Sequence, residues 1–174
     1  MVIIGDTRKS SVAKLLAVMM FTTLIFLTTF SANALAAKKA PNFTLKDMHG
    51  KTVKLSSYRG KVVYLDFWAS WCKPCVKSFP WMNRIQAKYK KKGLVVLAVN
   101  LDKDKSLAWK FLKENRSNFK VLRDPDGDIA EKYEVIAMPS SYLIDKRGRI
   151  QKVHYGFLQK DSKNKELEIA DLLK

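Results

Sequence analysis

The chain has 174 residues, 33 Lys+Arg against 16 Asp+Glu, and a formal net charge of +17, which suits one globular domain, or one domain behind a targeting segment. Its two cysteines are too few for a disulfide-built mini-protein. The basic excess favours acidic partners, anionic lipid or nucleic acid, but the positive residues are scattered, as on a solvated lysine-rich surface.

The first 36 residues have the order of a secretory signal. Arg8, Lys9 and Lys14 precede the uncharged apolar run Leu15 to Phe30, and Ala34-Leu35-Ala36 supplies an A-x-A site. Cleavage after Ala36 is expected. The rival is a retained anchor, although the run falls short of a ~20-residue membrane span. Either way residues 37–174 form the domain, on the periplasmic side in a bacterium.

"FTLKDMHGKTVKL" reads as a β-hairpin. Phe43 and Leu45 alternate in one arm, Val53 and Leu55 in the other, with Gly50 in the turn. Val62 to Trp68 is short, β-branched and aromatic, and suits a strand covered on both faces. A helix follows, with Val76, Phe79, Met82, Ile85 and Tyr89 at helical spacing and Pro80 inside it. Lys90 to Lys92 close that helix and Gly93 stops it. "LVVLAVNLD" is a second buried strand. The next helix should turn Leu107, Ala108, Phe111 and Leu112 to one face. A short strand, a Pro/Gly turn and a helical turn lead to "SSYLIDKRGRIQKVHYG", a strand, tight turn and strand. "SKNKELEIADLLK" ends the chain as an amphipathic helix. The alternation predicts an α/β fold: parallel strand pairs, helices on both faces of a mixed sheet, an antiparallel closing edge and an extra N-terminal hairpin.

Both cysteines lie in "WASWCKPCVKSFP", as Cys72-Lys73-Pro74-Cys75. A zinc site needs four ligands, and the two histidines, His49 and His154, sit in hairpin regions without matching spacing. Haem attachment needs a histidine where Val76 stands. A purely structural disulfide closing so small a loop restricts the unfolded chain little. A redox couple remains. The pair sits where a buried strand hands over to a helix, and a helix N-terminus stabilises a thiolate. Cys72 is therefore the expected exposed nucleophile. Cys75, one turn deeper, is the resolving thiol. Pro74 suits a helix first turn, and Lys73 adds positive charge. Asp66 falls inside the apolar run, on the face of Tyr64 and Trp68 and opposite Val63, Leu65 and Phe67. A carboxyl buried there should have a raised pKa and could take the proton from Cys75.

At these residues the sequence is similar to the thioredoxin superfamily, and within it to the exported TlpA/ResA-like thiol-disulfide oxidoreductases. "APNFTLKDMHGKTVKLSSYRGKVVYLDFWASWCKPC" resembles that family's opening, and "VIAMPSSYLIDKRGRI" its cis-proline segment. The resemblance spans roughly Ala40 to Phe157. It implies that Cys72 and Cys75 are the redox pair, with Trp71 the preceding tryptophan and Pro80 the helix-kinking proline. It also implies that Met138-Pro139 is a cis bond leaving the Met138 backbone to a client strand. Asp66 matches the buried acid of thioredoxin, but Ala98 stands about where thioredoxin's partner lysine would be. "VIAM" departs from the segment of dedicated cytochrome c maturation members, so that role is only one option. The peroxiredoxin P-x-x-x-T-x-x-C motif is absent.

The expected activity is reduction of protein disulfides through Cys72 and Cys75, with no cofactor beyond that disulfide and no metal. Its expected partners are disulfide or dithiol client proteins and a membrane electron donor, with weak contact to a lipid surface compatible with the charge. Oxidation or isomerisation is the alternative direction. A copper- or client-binding module is the alternative class, although the C-x-x-x-C and distal histidine of Sco-like copper carriers are unmatched. Nucleic-acid binding conflicts with export and with the lack of an aromatic-basic pattern.

Overall fold

The computed structural model describes residues 37–174, which form one compact unit. The signal-peptide or anchor expectation for residues 1–36 lies outside the described residues. The strands are β1 (Thr44–Asp47), β2 (Thr52–Lys54), β3 (Val62–Trp68), β4 (Leu94–Asn100), β5 (Lys120–Arg123), β6 (Ser140–Ile144) and β7 (Ile150–Tyr155). The helices are α1 (Lys73–Tyr89), α2 (Lys105–Glu114), α3 (Asp128–Lys132) and α4 (Ser162–Leu173). They follow one another in the expected order.

All seven strands form one sheet, ordered β2-β1-β5-β4-β3-β6-β7. β3, β4 and β5 run parallel, and β6 and β7 close one side antiparallel. The N-terminal hairpin pairs Leu45 with Val53 and extends the other side of the sheet through β1 and β5.

β3 is the centre of this arrangement. Every one of its residues is buried, which is why its sequence lacks polar alternation. Its side chains still alternate between two cores. Tyr64 and Trp68 pack with Phe79, Met82 and Ile85 of α1, Phe111 of α2 and Ile169 of α4. Val63, Leu65 and Phe67 pack with Phe43, with Ile129 of α3 and with Tyr133. Helices therefore cover both faces.

α1 runs unbroken through Pro80 and hands over to a 3₁₀ turn at Lys90–Lys92. Gly93 follows at φ +99°, a left-handed stop that suits glycine. α2 differs from expectation at one residue. Ala108 and Phe111 are buried, but Leu107 is exposed, because it lies at the edge of the apolar stripe in a helix of only ten residues.

Candidate active site

β3 delivers the chain to the site. It ends at Trp68, the loop 69–71 turns, and Cys72 is the N-cap of α1 with extended backbone (φ −80°, ψ 98°). The Cys75 N–H donates to the Cys72 carbonyl at 3.0 Å. Pro74 occupies the first turn, where its missing N–H costs nothing. That turn has no acidic residue, so nothing opposes the positive helix end. Cys72 and Cys75 are joined as a disulfide, and Lys73 is exposed beside them.

The expectation of an exposed Cys72 needs correction. In this oxidised form Cys72 is 4% exposed and Cys75 0%. Cys72 is the marginally less buried residue of the two. The exposed group is its neighbour Trp71, at 69%.

The loop carrying Trp71 and Cys72 is held by Asp102, a residue that motif reasoning passes over. The Asp102 carboxylate is buried. It accepts from the Ser70 N–H (3.0 Å), the Ser70 hydroxyl (3.0 Å) and the Asn100 side-chain amide (2.7 Å). Arg123 donates to the Asp102 carbonyl at 2.8 Å. The available signal was a carboxylate just beyond the buried strand "LVVLAVN". An Asp102→Ala variant strands three donors, the buried Asn100 amide and the part-buried Ser70 N–H and hydroxyl, and should lose roughly 1–3 kcal/mol of stability, read as a lower urea midpoint with unchanged slope.

Opposite this loop, β6 begins. Ser140 pairs with Phe67, so the N-terminal end of β6 meets the end of β3 that leads to the cysteines. The Met138-Pro139 bond immediately before β6 is cis. Met138 packs against the core cluster containing Cys72 and Cys75. Among the described residues neither backbone group of Met138 makes a hydrogen bond. Ile136, two residues earlier, is 79% exposed.

Asp66 lies on the Tyr64 and Trp68 face of β3, as the alternation requires. It does not reach solvent at an edge: β3 is interior to the sheet, and Asp66 is 1% exposed. Its Oδ2 has no hydrogen-bond partner among the described residues. Burial pushes its pKa up to about 8, against a smaller opposing pull from Lys165. Ala98 stands beside it on β4, so β4 supplies no cation. Lys165 of α4 is the second residue that motif reasoning missed. Its signal was helical spacing: it precedes the fully buried Ile169 by one turn on the apolar face.

Comparison with known proteins agrees with this geometry. Residues 36–153 match the AhpC/TSA family. The chain belongs to the AhpC/TSA family, within the thioredoxin superfamily, and is ResA-like. It is 42% identical over 113 residues to the thiol-disulfide oxidoreductase ResA of Bacillus thuringiensis subsp. konkukian, covering 65% of each chain. It is 37% identical over 129 residues to ResA of Geobacillus thermodenitrificans, covering 74% of each. A crystal structure from Chlorobium tepidum, assigned as a thiol:disulfide interchange protein DsbE, superposes with TM-score 0.77 at 49% identity. That match covers 79% of this chain and 97% of the other. The chain thus spans about 65% of the length of the first curated relatives it matches. The thioredoxin fold expected of this AhpC/TSA member is the fold it has.

Proposed function

We propose that this AhpC/TSA-family chain is an exported thiol-disulfide oxidoreductase that reduces protein disulfides. The observation that carries the reading is the Cys72–Cys75 pair at the open N-terminus of α1, joined in the oxidised form beside an exposed tryptophan. The ResA and DsbE relatives are named for the same exchange chemistry.

The proposed cycle has two displacements. Reduced Cys72, as thiolate, attacks one sulfur of a client disulfide. The client S–S bond breaks, a Cys72–client bond forms, and the first client sulfur leaves and takes a proton from water. Cys75 gives its proton to ionised Asp66, and its thiolate attacks the Cys72 sulfur. The Cys72–Cys75 bond forms, and the second client sulfur departs as a thiolate and takes the second proton from water, while Asp66 releases its proton to solvent. The client gains two electrons and two protons, and the enzyme ends as the disulfide. A thiol donor at the membrane restores the dithiol.

Trp71, Ile136 and the unpaired Met138 backbone form the proposed client platform, with Pro139 shaping its edge. Lys73 and Pro74 tune Cys72 from within the turn. The cysteine pair is the only redox group the cycle uses. Among the described residues no cluster of three or more His, Cys, Asp and Glu could hold a metal ion, and no helix is long and apolar enough to cross a membrane. Export rests on the N-terminal sequence, and a role in cytochrome c maturation is one candidate setting.

Insulin reduction with dithiothreitol as electron source tests the reading. The oxidised protein should shorten the lag before B-chain precipitation in proportion to its concentration. An unchanged lag at equimolar protein would overturn it.

A further inference from the structure

Several cations that lie far apart in the sequence are gathered by the fold at one end of the sheet. β3 and β4 start side by side, Val62 opposite Leu94, and β3 runs from there toward the cysteines. Its seven residues put about 20 Å between the two ends. Three connections meet at the starting pole, and all three are basic. The first is the 3₁₀ turn Lys90–Lys92, exposed at every residue. The second leads into β3 and carries exposed Arg59 and Lys61. The third is the β6–β7 turn, with exposed Lys146, Arg147 and Arg149. Hydrogen bonds tie them together. The Val62 N–H donates to the Gly93 carbonyl at 3.1 Å, and the Gly60 N–H to the Lys146 carbonyl at 2.9 Å. The Arg59 guanidinium donates to the Arg147 carbonyl at 2.7 Å.

A cleft of about 640 Å³ opens at the same pole. Lys61, Lys90 and Lys120 line it with Tyr58, Ser117 and Asn118, and no Asp or Glu does. The acids near these cations are already engaged. Asp145 accepts from the N–H groups of Arg147 and Arg149, and Asp47 from those of His49 and Lys51, each at 2.9 Å. Glu166 pairs with Lys88 at 2.7 Å and Glu134 with Lys38 at 2.8 Å. Among the described residues, none of Lys61, Lys90, Lys91, Lys92, Lys120 and Lys146 is in an ion pair.

So many like charges repel one another, and an anionic plane would relieve them. The patch also lacks what a protein partner would use. None of the large apolar side chains exposed on the domain belongs to these three turns or to the cleft, whereas protein interfaces are anchored by buried aromatic and apolar groups. Lipid headgroups require only charge. The described residues begin at this pole as well. Lys39 bridges to Arg149, and the Ala40 N–H donates to the Gly148 carbonyl at 3.0 Å. Whatever precedes Ala37 in the chain, the apolar run Leu15 to Phe30 included, therefore joins the domain there. We propose that the basic pole docks on a bilayer containing anionic phospholipid, with the cleft taking a headgroup phosphate. The cysteine end then faces away from the lipid, toward clients in solution. Each cation near an anionic surface strengthens binding about fivefold, so the three lysines of one turn contribute on the order of 10²-fold. That is enough to set which end of the domain faces the lipid.

The test is a lysine footprint of the full chain reconstituted in liposomes of phosphatidylcholine, alone or mixed with phosphatidylglycerol. Residues 1–36 are the same in both, so the difference between the lipids reads the charge. Acetylation followed by mass spectrometry reports each lysine. Labelling of Lys61, Lys90, Lys91, Lys92 and Lys120 should fall several-fold when phosphatidylglycerol is present and return in high salt. Lys73 and Lys105, exposed at the cysteine end, should label equally in both. The combined variant Lys90→Glu, Lys91→Glu, Lys92→Glu should match wild type in insulin reduction in solution and lose the protection at Lys61 and Lys120. The wild-type comparison needs no variant to fold. Unchanged labelling at the pole, or an equal fall at Lys73 and Lys105, overturns the inference. So does the same fall when glycerol 3-phosphate, at the same headgroup concentration, is added to liposomes of phosphatidylcholine alone.

Discussion

Cys72→Ala is expected to reduce disulfide-exchange activity to background, a loss on the order of 10³-fold or more, while Cys75→Ala accumulates a covalent client adduct. The asymmetry follows from position. Cys72 caps α1 and is the less deeply buried of the pair, which suits it to meet a client first; Cys75 is fully buried one turn deeper. Without Cys72 there is no nucleophile, and Cys75 cannot be reached to replace it. Without Cys75 the first displacement proceeds but its product has no internal resolving thiol. The adduct should appear as a mass increase equal to one client chain, lost on addition of dithiothreitol. Equal adduct yields from both variants, or none from either, would reverse the roles or remove them. Applied in the native host, the same trap names the clients.

Asp66→Asn should have the second large effect, on stability as well as on rate. Burial lifts this carboxyl to about 8 in the folded protein, against about 3.9 in an unfolded chain. Below about pH 4 the acid is neutral in both states. Between about pH 4 and 8 the unfolded chain is ionised and the folded one still protonated, so rising pH favours unfolding. Above about pH 8 the penalty levels off. The full span of about four pH units approaches 6 kcal/mol at about 1.4 kcal/mol per unit, and structural relaxation lowers it, giving on the order of 3–5 kcal/mol. Oxidised wild type should therefore lose that much stability between about pH 5 and 9 relative to Asp66→Asn, compared by urea denaturation at each pH. Asparagine keeps the shape of the neutral acid and removes the ionisation. The variant should be the more stable protein at pH 9 and the poorer enzyme at pH 7, with resolution by Cys75 slowed on the order of 10²-fold. Parallel stability curves for the two proteins would show that Asp66 ionises freely in the fold.

Much of this was legible in the residues because the decisive signals were local. The period-2 alternation of β3 placed Asp66 with Tyr64 and Trp68, and the two cores divide on that pattern. Gly93 and the lysines before it marked the end of α1. The cis Met138-Pro139 bond was implied by resemblance and is present. What escaped was non-local. Asp102 matters because β4 ends beside the loop from β3, a juxtaposition made by the sheet and not by spacing. Lys165 meets Asp66's face across nearly a hundred positions of chain, and a lone lysine on a helix reads as solvated until its burial is seen. The low exposure of Cys72 in the disulfide form is a matter of tertiary packing that the helix-capping argument, made for the thiolate, does not contain.

The most direct measurement equilibrates the protein across a series of reduced-to-oxidised dithiothreitol ratios, quenches with an alkylating reagent and weighs the intact chain. A single two-electron transition is predicted, in which Cys72 and Cys75 pass together from unlabelled to doubly labelled. Sulfurs that stay unlabelled at every ratio, or that take up label independently of each other, would contradict the account.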